Sequence, residues 1–411
     1  MRIEQEIKQK FRRLARGMDA VAGEDASARL NEILGESNIN WQAINDVLEA
    51  ELSQSFFEHR HFKKTSSKRQ LFDFMHSELV CRILGEAFPK QRFSGSGILE
   101  PLENPEADNA RVHLAQQGFL ILPQRLQESA CEQIVHSLKD IEFRVKASGE
   151  IVDGYDAARV EQIDGNTCWV VDQQRILQIP QVQQLASDPT LLNLIQDYLG
   201  CVPIHDQANC WWTINHQTSQ RTMTSDAQLF HQDKDFIRFV KVFVYLNDVT
   251  DKNGPHTYIS GSARDYDQHV PVGYSISQRL DDKHLRHQYA IDRFVTFQGK
   301  QGTIIIEDTS GFHKGTPVQS GHRLMLQLEY CCSLYFNQGL CFSYDGLTPE
   351  YLEFAKHHPR TFMNYDNERY LRYIEQKRKQ LGGANLIKRN VRRFGKYLAR
   401  WSANAGLRKS A

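Results

Sequence analysis

The middle of the chain, from about Val202 to Tyr335, is a succession of short β-type segments, and this feature limits the fold most strongly. Turn signals such as Asn253-Gly254-Pro255 and Ser320-Gly321 separate the segments. Closely spaced short strands are typical of a β-sandwich or a small barrel, because their apolar faces must be buried against one another. The predicted strands are 208–214, 239–246, 257–259, 294–297, 302–306 and 324–330.

Helical patterns flank this β region. Apolar side chains recur at intervals of three and four from Ile3 to Leu14 and from Trp41 to Leu52, and a third apolar stretch runs from Leu71 to Leu84. A loop rich in Gly, Pro and Asn from Phe93 to Asn109 then predicts a boundary. We therefore expect a helical extension over residues 1–110, a β domain over 111–340 and a helical, basic region over 341–411.

The predicted β domain opens with mixed elements. The segment 118–123 reads as a short buried strand, and a helical pattern follows it as far as Leu138. A second helix is predicted over 189–199, because Gly200 supplies the residue type that most often ends a helix.

The C-terminal stretch is basic and amphipathic. From Lys377 onward there is no acidic residue, while an apolar line runs from Ile387 to Trp401 among lysines and arginines. Such a helix could lie on an anionic membrane surface or contact nucleic acid. We favour the simpler interpretation, in which the apolar line packs on the protein's own body and the basic side faces water.

Composition excludes several classes of protein. Fifty basic residues balance fifty acidic ones, which argues against a surface tuned as a whole to nucleic acid. The eight cysteines are scattered without a C-x-x-C pair, as in a reduced protein of the cytoplasm. The charged N-terminus has no apolar signal-peptide core, and no apolar run is long enough to span a bilayer. We expect a cytoplasmic protein.

The first chemical signal is His231-Gln232-Asp233. In an extended chain residues i and i+2 lie on the same face, so an imidazole nitrogen and a carboxylate oxygen can chelate one ion. His-x-Asp alone is a weak signal, since surface polarity often produces it.

A second candidate ligand, His313, follows the apolar strand 302–306. Two histidines and one carboxylate on one side of an ion form the facial triad of non-haem Fe(II) oxygenases, which leaves three coordination positions open. A structural zinc site would instead be closed, usually by cysteines. The pattern therefore predicts Fe(II) held by His231, Asp233 and His313, with O2 as a co-substrate.

Arg323 lies ten residues beyond His313, across a predicted turn at 319–321. If both side chains point into the barrel, the guanidinium can bind a carboxylate through two hydrogen bonds, deeper in the pocket than the metal. A dicarboxylate that chelates iron through its 2-oxo acid end, as 2-oxoglutarate does, fits such a site. The combination of His-x-Asp, a distant His and this Arg is a strong signal.

Two other interpretations stay open. A non-catalytic binding or regulatory protein could retain the β fold, although the joint presence of all four residues argues against it. A metalloprotein similar to the cupins, without 2-oxoglutarate, would explain the histidines but leave Arg323 without a role. Trp211 and Trp212 either line a substrate pocket or belong to the core.

These motifs resemble the phytanoyl-CoA dioxygenase family of Fe(II)/2-oxoglutarate oxygenases, over roughly residues 112–335. The resemblance lies in His231-Gln232-Asp233, the strand 240–246 with Asn247-Asp248-Val249, Asn253-Gly254-Pro255, Ser260-Gly261-Ser262, and His313 with Arg323. It implies an α+β chain whose core is a double-stranded β-helix, or jelly-roll.

The resemblance also implies roles for individual residues. His231, Asp233 and His313 match the iron ligands, and Arg323 matches the arginine that binds the distal carboxylate of 2-oxoglutarate. Gln232 and Arg175 are further candidate contacts of the co-substrate. Some relatives have a serine two residues after the distal histidine, where this chain has Gly315, so Thr316 becomes the nearest candidate hydroxyl.

Two further implications concern the substrate and the reaction. The family's usual Gly-Ser-His is here Gly261-Ser262-Ala263, which puts the contacts with the substrate in doubt. Relatives that halogenate have a small residue in place of the carboxylate ligand, so Asp233 favours hydroxylation, with desaturation and ring formation as open alternatives. We expect a small-molecule substrate and no nucleic acid.

Overall fold

Two antiparallel β-sheets form the core of the computed structural model. It describes residues 74–146, 149–152, 154–158, 168–214, 227–264, 279–334 and 342–365. The helices predicted before Leu71 and the basic helix predicted after Lys377 lie outside the described residues, as does any membrane or nucleic-acid contact of that helix. None of the described helices combines the length and apolarity needed to cross a membrane.

Eight α-helices are described, most of them before the main strands. They are α1 (Phe74–Ala87), α2 (Asn104–Gln117), α3 (Glu128–Leu138), α4 (Gln173–Leu177), α5 (Pro180–Ala186), α6 (Pro189–Leu199), α7 (Asp282–Arg286) and α8 (Pro349–His357). A 3-10 turn, Ile291–Arg293, precedes one strand of the smaller sheet. The third apolar stretch of the sequence thus forms α1, and the predicted helix 189–199 is α6.

Eleven strands are described in the same part of the chain. They are β1 (Phe119–Ile121), β2 (Phe143–Val145), β3 (Ile151–Val152), β4 (Cys168–Val171), β5 (Ile204–Ile214), β6 (Phe239–Tyr245), β7 (His256–Ile259), β8 (Phe294–Phe297), β9 (Ile304–Glu307), β10 (His313–Gly315) and β11 (His322–Cys331). The larger sheet has the order β1-β9-β6-β11-β5-β4-β2-β3, and the smaller has β10-β7-β8. This arrangement is consistent with the expected jelly-roll.

Side-chain alternation along the strands divides each sheet into two faces. Phe243, Ile305 and Met325 of the larger sheet pack with Tyr258 and Phe297 of the smaller one in a single buried cluster, which defines the inner faces. The other face of β11 carries side chains that are fully buried as well: Leu324, Leu326, Leu328 and Tyr330. Both faces of this strand are buried, yet its inner face carries Arg323, Gln327 and Glu329, so polar and apolar residues alternate along most of it.

One predicted loop is partly wrong. Helix α2 begins at Asn104, inside the segment 93–109 that its Gly, Pro and Asn content assigned to a loop. The helix starts there because Glu103 and Glu106 form a capping box, and because Pro105 in the first turn has no backbone N–H to satisfy. The short strands β2, β3 and β4 were not predicted.

Helix α6 shows how a local signal positions a buried element. Asp188 is fully buried and accepts hydrogen bonds from the backbone N–H groups of Leu191 and Leu99, both at 3.0 Å. The helix ends at Gly200, whose φ of 78° is a left-handed conformation that glycine adopts without strain. A side chain at Gly85 of α1 would lie 2.4 Å from the Gly200 carbonyl oxygen, so the two segments approach closely.

We expect Asp188→Ala to lower the free energy of unfolding by about 2 kcal/mol, because a helix cap is lost and a buried N–H of the preceding loop loses its acceptor. Chemical denaturation measures this change. Burial raises the pKa of Asp188, so the uncharged carbonyl of Asp188→Asn should serve in its place and cost less than about 1 kcal/mol. Equal losses in the two variants would contradict this role.

Candidate metal centre

The two candidate histidines face each other across one short antiparallel pairing. His231 and His313 exchange two backbone hydrogen bonds, each 3.0 Å from nitrogen to oxygen. Residues paired in this way carry their side chains on the same face. The centroids of the two imidazole rings accordingly lie 4.1 Å apart, although 81 residues lie between the two histidines in the sequence.

Asp233 completes the group. Its Oδ1 lies 3.7 Å from His231 Nε2, and its Oδ2 lies 3.4 Å from His313 Nε2. One ligand atom from each of the three residues lies within 4.8 Å of the others. The backbone N–H of Asp233 donates to the Thr309 carbonyl at 2.8 Å. This hydrogen bond holds the loop after His231 against the segment that leads to His313.

Hydrogen bonds to Nδ1 of His231 and of His313 determine which nitrogen of each imidazole is available to bind a metal ion. His231 Nδ1 lies 2.9 Å from the Leu229 carbonyl oxygen, and His313 Nδ1 lies 3.0 Å from that of Gly311. A carbonyl can only accept, so each Nδ1 carries a hydrogen and Nε2 is the nitrogen that each ring directs to the centre of the group. This is the arrangement that a metal-binding histidine requires. Burial alone would lower the pKa of His313, but Asp233 outweighs it and raises that pKa, so a cation would take the place of a proton between these two side chains.

The protonation states of His231 and Asp233 favour a cation between the three candidate ligands. Burial holds the pKa of His231 well below its usual range, so this imidazole is neutral. Burial alone would raise the pKa of Asp233, but Lys241 and His313 outweigh it and hold that pKa well below its usual range. Two imidazole nitrogens and one carboxylate fit a ferrous ion with open positions better than a closed structural zinc site.

Lys241 is a component of the site that the sequence analysis missed. Its Nζ lies 2.7 Å from Asp233 Oδ2, 2.9 Å from Asp235 Oδ2 and 3.8 Å from Glu329 Oε2. It lies in the middle of β6, whose other residues are Phe, Val and Tyr. A single lysine inside such an apolar strand is the signal that could have indicated a buried ion pair.

His256 and Glu307 form a second pair on the inner faces. His256 opens β7 and Glu307 ends β9, and His256 Nε2 lies 3.1 Å from Glu307 Oε1. Burial lowers the pKa of His256 well below its usual range and raises that of Glu307 to about 8. In the sequence, Glu307 directly follows three isoleucines, and this is the signal that could have indicated a buried acid.

Arg323 lies on the inner face of β11, two residues from Met325, and only 4% of it is exposed. Its Nη1 donates to the Gly254 carbonyl, and its Nε has no hydrogen-bond partner within the described part of the chain. A Cβ at Gly315 would lie 3.2 Å from Arg323 Nη2. Glycine at that position therefore leaves the guanidinium open on the side of the smaller sheet.

Three further residues were predicted to contact 2-oxoglutarate: Gln232, Thr316 and Arg175. Gln232 is buried and its Nε2 donates to the Ser310 carbonyl at 2.6 Å, while its Oε1 has no described partner. Thr316 Oγ1 lies 3.3 Å from Thr257 Oγ1, on the face of the smaller sheet opposite to His256. Arg175 is exposed on α4, where its guanidinium donates to Gln178 Oε1 at 3.5 Å. Neither Thr316 nor Arg175 is directed toward the triad by these contacts.

The two tryptophans differ. Trp211 is partly buried on the inner face, where it packs against the cluster that contains Phe243. Trp212 points to the other face and packs against Trp169 and Tyr155, with ring centroids 4.8 Å and 4.9 Å away. Trp212 is therefore a core residue, and Trp211 alone can contribute to the barrel interior.

We expect Lys241→Met to lower the free energy of unfolding of the metal-free protein by about 3 kcal/mol, because the partly buried Asp233 and Asp235 and the buried Glu329 lose their cation. Lys241→Arg keeps the charge and should cost less than half as much. Denaturation curves in a metal-chelating buffer measure both, and an unchanged stability of Lys241→Met would contradict the ion pairing. Added Mn(II) should restore part of the loss, since a bound cation stabilises the folded state.

Several solved structures are similar to this chain at low sequence identity. EvdO2 from Micromonospora carbonacea var. aurantiaca, complexed with 2-oxoglutarate, has 14% identity and a TM-score of 0.40, over 57% of this chain and 93% of its own. The epimerase SnoN, in complex with Fe3+, alpha ketoglutarate and nogalamycin RO, has 15% and 0.40, over 56% and 84%. EctD from S. alaskensis in its apoform has 17% and 0.39, over 59% and 87%. Similarities this low carry no conclusion about the chemistry of this chain.

The family comparison is more informative. No curated protein matches the chain. A family model described as phytanoyl-CoA dioxygenase (PhyH) matches residues 114–325, which is just over half of the sequence and includes the triad and Arg323. The chain belongs to the phytanoyl-CoA dioxygenase (PhyH) family.

Proposed function

We propose that this protein is an Fe(II)- and 2-oxoglutarate-dependent oxygenase. It uses O2 to hydroxylate an unactivated C–H bond of a small-molecule or lipid-like substrate: one oxygen atom enters the product, and the other enters the succinate that forms, with CO2, from 2-oxoglutarate. The observation that supports the proposal most strongly is the convergence of His231, Asp233 and His313, with Arg323 on the inner face of the neighbouring sheet. Membership of the family supports the same assignment.

In this proposal each residue has a defined task. His231, Asp233 and His313 hold the ion from one side, through two Nε2 atoms and a carboxylate oxygen. Arg323 binds the far carboxylate of 2-oxoglutarate, for which its unpartnered Nε is available. The bound iron and 2-oxo acid together supply the oxidising chemistry, and the protein supplies position and the exclusion of water.

The carboxylate ligand bears on the reaction type. Asp233 would occupy the coordination position that a halide takes in relatives that halogenate. That position is therefore closed to a halide in this protein. Hydroxylation therefore fits the ligand set better than halogenation does. The cytoplasmic location remains a prediction from the sequence.

The second candidate function is a non-catalytic binding or regulatory protein with the same fold. The orientation of His231 and His313 argues against it, because each Nδ1 lies against a backbone carbonyl and both Nε2 atoms lie within 3.7 Å of the Asp233 carboxylate, as a metal site requires. A cupin-like metalloprotein would keep the metal and dispense with Arg323. Binding of metal and of 2-oxoglutarate, measured separately, distinguishes the three.

We expect His231→Ala and His313→Ala each to abolish stoichiometric iron binding, because two ligands do not hold the ion. Arg323→Ala should retain iron and weaken 2-oxoglutarate binding by about 100-fold, since a two-point charged contact is lost. Calorimetry under anaerobic conditions measures both constants. Arg111→Ala, which removes a half-exposed arginine of α2, is the matched control and should change neither. An unchanged 2-oxoglutarate affinity in Arg323→Ala would refute the assigned role.

The substrate can be approached through co-substrate turnover. The iron-loaded protein should form succinate from 2-oxoglutarate faster when its substrate is present, so candidate small molecules and lipid-like compounds can be screened by succinate release. A compound that stimulates turnover in the wild type and not in His313→Ala identifies the substrate class. A metal-loaded protein that binds 2-oxoglutarate but is stimulated by no compound, and forms no succinate by itself, would favour the regulatory function.

A further inference from the structure

Lys241 is a buried cation of the barrel interior, and the proposed function gives it no task. Only 10% of its side chain is exposed, and the strand around it is apolar. A charge in such a place costs free energy unless partners of opposite charge hold it closely. The carboxylates of Asp233, Asp235 and Glu329 lie 2.7 Å, 2.9 Å and 3.8 Å from its Nζ. Because Asp233 is also a candidate metal ligand, the cation lies directly beside the metal centre.

Strand register fixes where this ammonium group lies. Lys241 is directly opposite Glu329 in the β6–β11 ladder and directly opposite Glu307 in the β6–β9 ladder, so its backbone is held on both sides. Directly opposed residues carry their side chains on the same face of the sheet. The Glu329 carboxylate is fully buried and makes no hydrogen bond within the described residues, so its ion pair with Lys241 is what compensates it. The lysine therefore reaches Asp233 from a fixed point of the larger sheet.

The two oxygens of Asp233 consequently have different neighbours. Oδ2 accepts a hydrogen bond from Lys241 Nζ at 2.7 Å and lies 3.4 Å from His313 Nε2. Oδ1 makes no hydrogen bond within the described part of the chain and lies 3.7 Å from His231 Nε2. A charge-assisted hydrogen bond is short and strong, and it draws electron density from the oxygen that accepts it. Oδ1 is therefore the better metal ligand of the two.

The number of carboxylate oxygens on the ion decides how many positions stay open. A facial triad in which the carboxylate uses one oxygen leaves three positions, of which a chelating 2-oxo acid takes two and O2 can take the third. If both oxygens of the carboxylate bound the ion, the 2-oxo acid would fill the remaining positions and none would be left for O2. A carboxylate ligand of such an enzyme therefore needs a device that keeps its second oxygen off the ion.

We propose that Lys241 is this device: a positioning residue that holds one oxygen of Asp233, so that Asp233 binds the iron through its other oxygen alone and a position stays open for O2. The inference rests on the proposed function and deepens it. It also gives a reason for the buried Glu329 and for Asp235, which hold Lys241 in place from its other sides.

The first test is a crystal structure of the wild type with Mn(II) and 2-oxoglutarate, since Mn(II) accepts the same nitrogen and oxygen ligands. One oxygen of Asp233 should lie about 2 Å from the ion, and the other should lie beyond about 3 Å and still accept from Lys241 Nζ. Both oxygens at bonding distance, or an ion bound by the oxygen next to Lys241, would overturn the inference. This result does not depend on the folding of any variant.

Variants of Lys241 test the cause. In the same crystals, Lys241→Met should let the second oxygen of Asp233 move to within about 2.5 Å of the ion, whereas Lys241→Arg keeps a cation there and should restore binding through one oxygen. Lys314→Met is the matched control. Lys314 is buried to a similar degree, with 12% of its side chain exposed, and pairs with Asp282 on the face of β10 opposite to His313. Its loss should leave the binding of Asp233 unchanged.

Water bound to the ion gives a measurement in solution. Mn(II) accelerates the proton relaxation of water that exchanges through an open position, so the wild type saturated with Mn(II) and 2-oxoglutarate should retain this effect. In saturated Lys241→Met the relaxation enhancement should fall by more than about twofold, and Lys241→Arg should resemble the wild type. A purely structural role of Lys241 would weaken Mn(II) binding but leave the relaxation of the saturated complex unchanged.

The outcomes separate this inference from the proposed function. If the wild type does not bind Mn(II) through His231, Asp233 and His313, or if the loaded protein does not bind 2-oxoglutarate, the proposed function itself is wrong. If the wild type binds both and folded Lys241→Met shows the same one-oxygen binding and the same water relaxation, only the role of Lys241 is overturned. Loss of the open position in Lys241→Met, restored in Lys241→Arg, supports the inference.

Discussion

The two backbone hydrogen bonds between His231 and His313 are the constraint on which the candidate site depends. They bring together two segments that are distant in sequence, and they place both imidazoles on one side of the pairing. Asp233 follows in the same orientation because it is two residues further along. The carbonyl groups that bind each Nδ1 then leave both Nε2 atoms facing the carboxylate. Ligand geometry is thus a consequence of strand pairing rather than of side-chain packing alone.

The interior of the barrel combines an apolar cluster with a line of ionisable groups. Lys241, Glu329 and Glu307 are buried on the larger sheet, and His256 and His313 face them from the smaller one. Buried charges destabilise a fold unless they are paired. Lys241 lies against Asp233, and His256 against Glu307, so the metal-free site is already partly compensated. A bound cation and a dicarboxylate would complete this charge pattern, which explains why the polar groups are tolerated there.

Much of the fold and the central ligands could be predicted from local patterns. The main strands are short apolar runs between turn residues, and helix α6 has both its capping Asp188 and its terminal Gly200 in the sequence. His231 and Asp233 could be paired because His-x-Asp depends only on the two-residue period of an extended chain. His313 needed more than local spacing: it was proposed from its combination with Arg323 and from the resemblance to the family.

The parts that could not be predicted depend on pairing between distant strands. The contact of His256 with Glu307 follows from which faces of the two sheets oppose each other, and it is not visible in one segment. Lys241 and Asp233 are only eight residues apart, but their contact depends on how the chain folds back between them, which no local period gives. The same holds for Thr316, whose hydroxyl contacts the outer-face Thr257, and for the exposed Arg175. Only the start of helix α2 falls in the predicted loop 93–109, because Asn and Pro are typical both of turns and of the first turn of a helix.

X-ray diffraction at the iron absorption edge, from crystals grown anaerobically with Fe(II) and 2-oxoglutarate, tests the central claim most directly. A single anomalous peak should lie at bonding distance, about 2 Å, from His231 Nε2, His313 Nε2 and an Asp233 oxygen, with 2-oxoglutarate extending from it toward Arg323. A peak elsewhere, or an ion bound by only one or two of these residues, would contradict the account.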